Sequence, residues 1–387
     1  MKKRYAVLAA LFVSVFLTAC GKNVPLSSSV GKGASQAAVK TACSAPPANG
    51  KSGRQNKIWP MPEWKTDSPT NQGMDETTLS AADKYIKQKY PNITSFLVVR
   101  HGYIVYEKYY NGICKDTENP VYSVTKSVMS ALTGIAIREK LIMDPSQKIS
   151  DLLPEYFKNL DDVRKKDITI KNALTMTGGL KSIDDNYVSY FCSGDLIKYA
   201  LDQPLTAKPG EKFEYNTALP HFISVIITKT SGMSTKEFAN KYLFSKIGVK
   251  NINWQTDRKG YYVGGTELSL TSRDMARFGY LYLNGGSWDG QQIVPCEWVK
   301  TSTKEHAVTD ENDRYGYGFW LSAIQGRKSG RSYPSFSATG AGGQKITVIP
   351  DLDLITVVTA DVSQADKYGS DKACLAEKYA APAINGF

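Results

Sequence analysis

Two predicted β-hairpins, one near each end of the chain, constrain the fold more than any other feature of the sequence. The first joins the β-rich runs 95–99 and 103–109 through Arg100, His101 and Gly102. The second joins residues 345–349 and 354–359 through a turn that begins at Pro350. Strands from both chain ends most simply share one antiparallel sheet, with the rest of the chain packed beside it.

The chain between the hairpins is predicted to be largely helical. One apolar helix begins near Leu219 and is closed by Gly232, and another ends at residues 174–176 before Gly178. Further helices are predicted over residues 77–90 and 370–381. With 387 residues, of which 42% are hydrophobic, the chain can bury one large core. The predicted fold class is therefore α/β of the α+β type, an antiparallel sheet with an inserted helical subdomain.

The N-terminus has the layout of a bacterial lipoprotein signal. Lys2, Lys3 and Arg4 precede an apolar run over residues 5–19, which is shorter than the roughly 20 residues that span a bilayer. Residues 17–20 resemble a lipobox, so residues 1–19 are expected to be a signal peptide and Cys20 the lipidated first residue of the mature protein. A transmembrane anchor is the alternative. Because Gly21 follows the cysteine, the resemblance favours the outer membrane, facing the periplasm.

Residues 20–57 are expected to be a flexible basic tether ahead of a domain that spans residues 58–387. The tether is rich in Ser, Gly, Ala and Lys, contains no Asp or Glu and shows no apolar periodicity. Together with the basic N-terminus it carries most of the net charge of +11. The remainder of the chain is nearly neutral, which argues against a nucleic-acid partner.

The cysteines have neither metal-binding nor redox spacing, because no Cys-x-x-Cys pair occurs. An exported protein meets oxidising conditions, so one or two disulfides are expected within the domain, with Cys43 in the tether left over. The domain cysteines are Cys114, Cys192, Cys296 and Cys374. Neither a metal ion nor a cofactor is expected.

A Ser-His-Asp triad has few candidates for its base, since the chain contains 3 histidines. His101 lies in the first predicted hairpin turn, His306 in a polar loop and His221 on the Leu219 helix. No Gly-x-Ser-x-Gly nucleophile motif accompanies any of them. We therefore expect a structural role for each histidine, and a serine nucleophile would need another base.

Ser123 and Lys126 form a Ser-x-x-Lys motif at the start of a predicted apolar helix. This spacing places the hydroxyl and the ammonium on one helix face, where the helix N-terminus also directs backbone N–H groups. Burial can lower the pKa of a lysine by about 3 units, so that the amine can take the serine proton near neutral pH. Ser29 and Lys32 show the same spacing, but no helix follows them. Ser123 is predicted to be the nucleophile, and the alternative is a helix-capping serine.

Blocks of sequence throughout the domain match a known family, at residues 68–69, 72–75, 122–127, 174–179, 273–279, 315–318 and 340–344. In these blocks the chain resembles the serine β-lactamase and penicillin-binding-protein superfamily, in particular the class-C-β-lactamase-like branch with esterases and 6-aminohexanoate-dimer hydrolases. The resemblance runs from about residue 58 to the C-terminus. It implies a β-lactamase/D,D-peptidase-like fold and catalysis through an acyl-enzyme.

The resemblance also implies roles for residues outside the Ser-x-x-Lys motif. Tyr215 matches a tyrosine that shuttles protons in the family, and a lysine ammonium near by can lower the pKa of such a phenol. Thr217 stands where β-lactamases have asparagine. The amide of Gly340 or of Ala341, together with that of Ser123, is expected to form the oxyanion hole.

Two other patterns are ambiguous. Residues 229–232 imitate the family's Lys-Thr-Gly triplet, but they lie at a predicted helix end, where Gly232 serves as a C-cap. Residues 315–320 are rich in aromatic side chains, which either wall a pocket or pack in the core.

The sequence predicts an exported, lipid-anchored serine hydrolase that cleaves a small-molecule ester or amide, or a peptide, through Ser123, with Lys126 and Tyr215 sharing the proton transfers. A cell-wall D,D-peptidase or β-lactamase is the alternative enzyme. A penicillin-recognising binding protein, acylated without turnover, is the alternative without catalysis. Ala338, or Ser337 in the other register, replaces the lysine that meets a β-lactam carboxylate. Neutral substrates and weak or absent β-lactam hydrolysis are therefore expected, unless the nearby Lys345 supplies the cation.

Overall fold

The structure, a computed structural model, describes residues 57–250 and 252–387. The predicted signal peptide, Cys20, Cys43 and the tether up to residue 56 lie outside the described residues. Within the two described ranges, no helix combines the length and the hydrophobicity of a membrane span.

Strands from both ends of the chain lie side by side in one antiparallel sheet, as predicted. The strands are β1 (Ile93–Arg100), β2 (Tyr103–Tyr109), β3 (Glu118–Pro120), β4 (Asn253–Trp254), β5 (Leu268–Thr271), β6 (Ser287–Trp288), β7 (Gln291–Gln292), β8 (Ala307–Val308), β9 (Arg314–Tyr315), β10 (Trp320–Gln325), β11 (Ser332–Gly340), β12 (Gln344–Ile349) and β13 (Leu354–Ala360). The main sheet has 8 strands in the order β2-β1-β13-β12-β11-β10-β9-β8, so the first and last strands of the chain are neighbours. Strands β3-β5-β4 and β6-β7 form two smaller sheets.

Both predicted hairpins are confirmed. In the first, Arg100 pairs with Tyr103, and the two residues between them, His101 and Gly102, have φ angles of 51° and 83°. Positive φ at both positions defines a type I′ turn, whose twist matches that of the flanking strands. In the second hairpin, β12 and β13 pair up to Ile349 and Leu354.

Helices are the main regular structure of the chain between the hairpins, as predicted. The α-helices of the described residues are α1 (Glu76–Lys89), which precedes the first hairpin, then α2 (Val124–Arg138), α3 (Ile149–Leu152), α4 (Ile170–Leu174), α5 (Tyr187–Cys192), α6 (Leu196–Leu201), α7 (Leu219–Ser231), α8 (Thr235–Tyr242), α9 (Ser272–Leu283) and α10 (Cys296–Ser302), and finally α11 (Ala365–Tyr368), which follows the second hairpin. Helix α7 ends at Gly232, whose φ of 69° lies in the left-handed region. Residues 229–232 are therefore a helix end and its C-cap, as the sequence indicates.

The prediction of a helix over residues 370–381 is wrong. Cys374 has a φ of 48°, which an α-helix cannot continue through. The segment instead contains a 3₁₀ turn at Ser370–Lys372 and a π-helical turn at Ala376–Ala380. Leu375 and Ala380 are buried all the same, so the apolar pattern reports packing rather than a regular helix.

The main sheet separates two hydrophobic cores. Along β1, Phe96 and Val98 belong to a core that includes Leu79 of α1, whereas Leu97 and Val99 belong to a core shared with α2, α7 and α9. Successive strand residues point to opposite faces, so a strand covered on both faces is apolar throughout. Helix α2 is itself buried from Val124 to Ala136, which fixes its N-terminus in the middle of the domain.

The expected disulfides among the four domain cysteines do not form. Cys114, Cys192 and Cys374 are free thiols, whereas Cys296 takes part in a disulfide. Two cysteines can be bridged only when their Cα atoms lie within about 7 Å of each other, and spacing along the sequence does not determine that distance.

Candidate active site

Ser123 and Lys126 lie in contact at the start of α2. Lys126 Nζ is 2.8 Å from Ser123 Oγ. Ser123 occupies the N-cap position, yet its side chain makes no capping hydrogen bond. The hydroxyl is half-buried and faces the lysine, so the interpretation of Ser123 as a capping serine is not supported.

Lys126 is buried, with 2% of its surface exposed, and each of its three N–H groups has an acceptor. These acceptors are Ser123 Oγ, Gly265 O at 2.7 Å and Thr217 Oγ1 at 3.2 Å. Burial lowers the pKa of Lys126 to about 8, and the negative charge of Asp184 opposes this shift. The amine can therefore be neutral at mildly alkaline pH, as its place on an apolar helix predicts.

The backbone around Gly265 approaches the site closely because this residue has no side chain. A Cβ on Gly265 would lie 2.1 Å from the Thr217 carbonyl oxygen. The neighbouring Gly264 donates its amide to His221 Nδ1 at 3.3 Å, and His221 Nε2 lies 3.1 Å from Asp257 Oδ2. His221 thus supports the loop that carries the Gly265 carbonyl.

The histidines do not take part in the serine–lysine site. Both ring nitrogens of His221 are bound to Gly264 and Asp257. His101 Nδ1 lies 2.9 Å from Gln72 Oε1 in the hairpin turn, and the ring of His306 stacks on Tyr317 with 4.1 Å between centroids. All three histidines therefore make contacts that support the fold, in agreement with the structural role expected from the sequence.

Tyr215 lies over Lys126, with the ammonium nitrogen 4.8 Å from the ring centroid. Burial raises the pKa of Tyr215, and a hydrogen bond with Ser123 offsets this only in part. The expectation that the lysine lowers the pKa of this phenol is therefore wrong, because Lys126 faces the ring and gives its N–H groups to other acceptors. At neutral pH Tyr215 is a phenol that can donate a proton.

Asp184 is a member of the site that sequence reasoning missed. Its Oδ1 accepts from the Thr217 hydroxyl at 2.5 Å, and its Oδ2 accepts from the Thr217 amide at 2.9 Å. Ser182 Oγ lies 3.0 Å from Oδ2 and 2.7 Å from the Tyr215 carbonyl oxygen, so these two acceptors share its single proton. Asp184 is 33 residues from Thr217 in sequence, and no local pattern distinguishes it from the acidic residue beside it.

The end of β11 adjoins the Ser123 amide. A Cβ on Gly340 would lie 2.3 Å from the Val121 carbonyl oxygen and 3.2 Å from the Ser123 nitrogen, so only glycine fits there without a shift of the backbone. Ala341 follows directly at the strand end. The structure therefore brings Gly340 next to the backbone of the nucleophile, and Ala341 is the residue that follows it in the chain.

Lys345 does not share the sheet face of this site. In the β11–β12 pair, Ser337 lies opposite Thr347 and Thr339 opposite Lys345, so these four side chains share one face. The Ser337 hydroxyl bonds Thr347 Oγ1 at 3.0 Å. Lys345 lines a cavity together with Ser370 and Cys374 of the C-terminal segment.

Ala338 lies on the opposite face of β11. It pairs with Ile346, and both are buried in the core that contains α2. The position that holds lysine in β-lactamases is therefore apolar on the face toward α2.

Aromatic side chains form one wall beside Tyr215. Trp320 stacks on the Tyr215 ring with 6.1 Å between centroids and an interplanar angle of 22°. Tyr315 packs edge-on against Trp320 at 4.8 Å, and Phe213 packs against Tyr315 at 5.4 Å. Tyr315 is buried, whereas Trp320 and Phe213 are half-buried, so residues 315–320 contribute both to the core and to the wall.

A sheet built from both chain ends, with a serine–lysine pair at the start of a buried helix, defines a serine hydrolase of β-lactamase fold. The Beta-lactamase family matches residues 83–380, which is most of the chain, and the protein belongs to this family.

Named relatives are similar to the chain over most of its length. It is 24% identical over 279 residues to 6-aminohexanoate-dimer hydrolase of Paenarthrobacter ureafaciens, covering 68% of this chain and 71% of that protein. The octameric penicillin-binding protein homologue from Pyrococcus abyssi shares its fold with a TM-score of 0.61 and 19% identity, over 79% of this chain and 76% of that one. A D-stereospecific amidohydrolase from Streptomyces sp. does so with a TM-score of 0.60 and 16% identity, over 78% and 98% of the two chains.

Proposed function

We propose that the protein hydrolyses a neutral ester or amide through an acyl-enzyme at Ser123. The observation that carries this proposal is the 2.8 Å contact between Ser123 Oγ and a buried lysine. Because burial lowers the pKa of Lys126 to about 8, the amine can accept the serine proton without a histidine.

Acylation and deacylation use the same groups in turn. Ser123 Oγ attacks the substrate carbonyl carbon as its proton passes to Lys126, and the oxyanion is held by the amide of Ser123 with that of Gly340 or Ala341. The Tyr215 phenol protonates the leaving group and recovers its proton from Lys126. A water molecule then attacks the acyl carbon, its proton returns through the same groups to Ser123, and the free acid leaves.

The charges around the site favour neutral substrates over carboxylated ones. The apolar Ala338 replaces the cation of β-lactamases, and Lys345 lies on the other sheet face. Val121 donates its amide to Leu268 O at 2.8 Å, which brings Glu267 next to Tyr122; burial and the Glu267 carboxylate together raise the pKa of Tyr122. A carboxylated substrate would therefore lose the charge-assisted hydrogen bond that a cation at the position of Ala338 would supply.

The aromatic wall supports a substrate with an apolar group beside the scissile bond. Trp320 and Phe213 are half-buried next to Tyr215. Such flat surfaces bind acyl chains or rings through apolar contact.

A substrate panel tests the proposed function. Wild type and Ser123→Ala are assayed on p-nitrophenyl esters, linear amides, D-Ala-D-Ala peptides and a chromogenic cephalosporin. We expect turnover of esters or amides by wild type alone. Preferred turnover of the peptides would favour the D,D-peptidase alternative, and a stable acyl adduct without turnover would favour the binding-protein alternative.

We also propose that the protein is exported and anchored by a lipid at Cys20, in the outer membrane and facing the periplasm. The lipobox at residues 17–20 and the apolar run before it support this proposal. Cys20→Ser should abolish palmitate incorporation, whereas the matched control Cys43→Ser should retain it. Equal incorporation in wild type and Cys20→Ser would rule out the anchor.

A further inference from the structure

We infer that Asp184 is a positioning residue for the serine–lysine pair, which it acts on through the hydroxyl of Thr217. This inference rests on the proposed function, because it assigns Lys126 as the base for Ser123. The contacts form a chain from Asp184 Oδ1 to Thr217 Oγ1 at 2.5 Å, to Lys126 Nζ at 3.2 Å and to Ser123 Oγ at 2.8 Å.

The geometry of the lysine nitrogen explains why this chain matters. Nitrogen is tetrahedral, and its acceptors are Ser123 Oγ, Thr217 Oγ1 and Gly265 O. A neutral amine has two N–H groups and one lone pair. When Thr217 and Gly265 each accept an N–H, the lone pair is directed at the Ser123 hydroxyl, as a general base requires.

Asp184 ensures that Thr217 accepts rather than donates. A threonine hydroxyl has a single proton, and Thr217 gives it to Asp184 Oδ1. An ionised carboxylate only accepts hydrogen bonds, so the proton cannot point the other way. The carboxylate is held in place by the Thr217 amide, which donates to Oδ2 at 2.9 Å.

The same arrangement explains why threonine can occupy a position where β-lactamases have asparagine. An asparagine side chain offers a carbonyl to the lysine and an amide to the substrate. Thr217 offers Lys126 an oxygen only, and its proton is committed to Asp184. The site thus keeps the hydrogen bond to Lys126, but Thr217 has no proton left to donate to the substrate.

Asp184 also acts through its charge. Among the residues that the structure describes, the titratable side chains that face Lys126 across the site are Asp184 and Tyr215. Tyr215 is neutral at working pH, so the carboxylate of Asp184 is the charge that favours the ammonium form. Its removal should lower the pKa of Lys126, because burial then acts unopposed.

Labelling of Ser123 by a fluorophosphonate probe tests the inference without knowledge of the natural substrate. In this reaction Ser123 Oγ forms a bond to phosphorus, fluoride leaves and Lys126 takes the serine proton. The labelling rate is measured against pH for wild type, Asp184→Asn, Thr217→Ser and Thr217→Val, with the melting temperature of each. Asparagine preserves the shape of Asp184, but its amide can donate to Thr217 and reverse the hydroxyl.

We expect Asp184→Asn to lower the plateau labelling rate by about tenfold and to move the acid limb to lower pH by about one unit. Thr217→Ser, which keeps the hydroxyl, should be labelled at close to the wild-type rate. The plateau labelling rate of Thr217→Val should fall by about tenfold. The double variant Asp184→Asn/Thr217→Val should have the plateau rate of Thr217→Val, because both changes break the same chain.

An acid limb at the wild-type pH in a folded Asp184→Asn would overturn the inference, even if the melting temperature fell. If Asp184→Asn does not fold, the comparison of Thr217→Ser with Thr217→Val tests the inference. Equal labelling rates in these two variants would overturn it. Failure of the proposed function is distinguishable, because Ser123 would then remain unlabelled in wild type.

Discussion

Thr339 and Lys345 lie directly opposite each other in the β11–β12 pair, on the sheet face that carries the C-terminal segment. Side chains on directly opposed residues share a face, so Lys345 is on the far side of the sheet from Ala338 and α2. From the sequence alone, Lys345 could replace the cation that β-lactamases have and this chain lacks. In the structure, Lys345 lies on the wrong sheet face for that role.

Nitrocefin hydrolysis should therefore be weak or absent in wild type and unaffected by Lys345→Ala. Loss of a charge-assisted hydrogen bond costs about tenfold to a hundredfold in transition-state binding. Ala338→Lys places a cation on the face toward α2. If this variant folds, its nitrocefin hydrolysis is the measurement to compare with that of wild type and Lys345→Ala. Turnover at the ~10⁶ M⁻¹s⁻¹ level of a good enzyme, lost on Lys345→Ala, would show that Lys345 reaches the substrate.

Activity should rise with pH through a midpoint at about 8, the pKa to which burial brings Lys126. The protonated amine cannot act as a base, so kcat/KM should fall by about tenfold per pH unit below the midpoint. The pKa of Tyr215 is raised above its usual value, so its ionisation should cause no loss of activity up to about pH 10. A midpoint near the usual histidine value of about 6.5 would point to an imidazole base instead.

Tyr215→Phe should separate substrates by their leaving groups. Amides and alkyl esters need a proton on the leaving group, so their kcat should fall by about 10²-fold or more. p-Nitrophenyl esters leave as stable phenolates, and their turnover should fall by less than about tenfold. Phenylalanine keeps the ring contacts with Lys126 and Trp320. An equal loss on both kinds of substrate would mean that the hydroxyl does not serve the leaving group.

The histidines should be dispensable for the chemistry. His101→Gln, His221→Gln and His306→Gln should each keep at least about a tenth of wild-type activity, since no proposed proton transfer uses imidazole. His221→Gln should show the largest effect of the three, because His221 supports the Gly264 backbone next to a ligand of Lys126. A hundredfold loss in His221→Gln with an unchanged melting temperature would contradict the lysine base.

The sequence predicts those parts of the site that lie within one helix or one strand. Ser123 and Lys126 are three residues apart on α2, and the spacing alone places them in contact. Gly340 could be found from its place in a glycine-rich strand end. These features are local, so pattern and propensity suffice.

Features that depend on long-range contacts could not be predicted in this way. Asp184 reaches Thr217, and the Gly265 carbonyl reaches Lys126, only after the helical layer packs. The pKa of Tyr215 depends on how deeply it is buried and on which face it turns to the lysine. The break at Cys374 and the absence of disulfides among the domain cysteines likewise follow from tertiary structure.

The most direct measurement is the site of covalent labelling by a fluorophosphonate probe, mapped by peptide mass spectrometry on wild type and Ser123→Ala. We expect a single adduct on the peptide that contains Ser123 in wild type and none in the variant. The variant should retain its melting temperature, since the Ser123 side chain makes no capping hydrogen bond. An adduct on another residue, or labelling that persists in Ser123→Ala, would contradict Ser123 as the nucleophile.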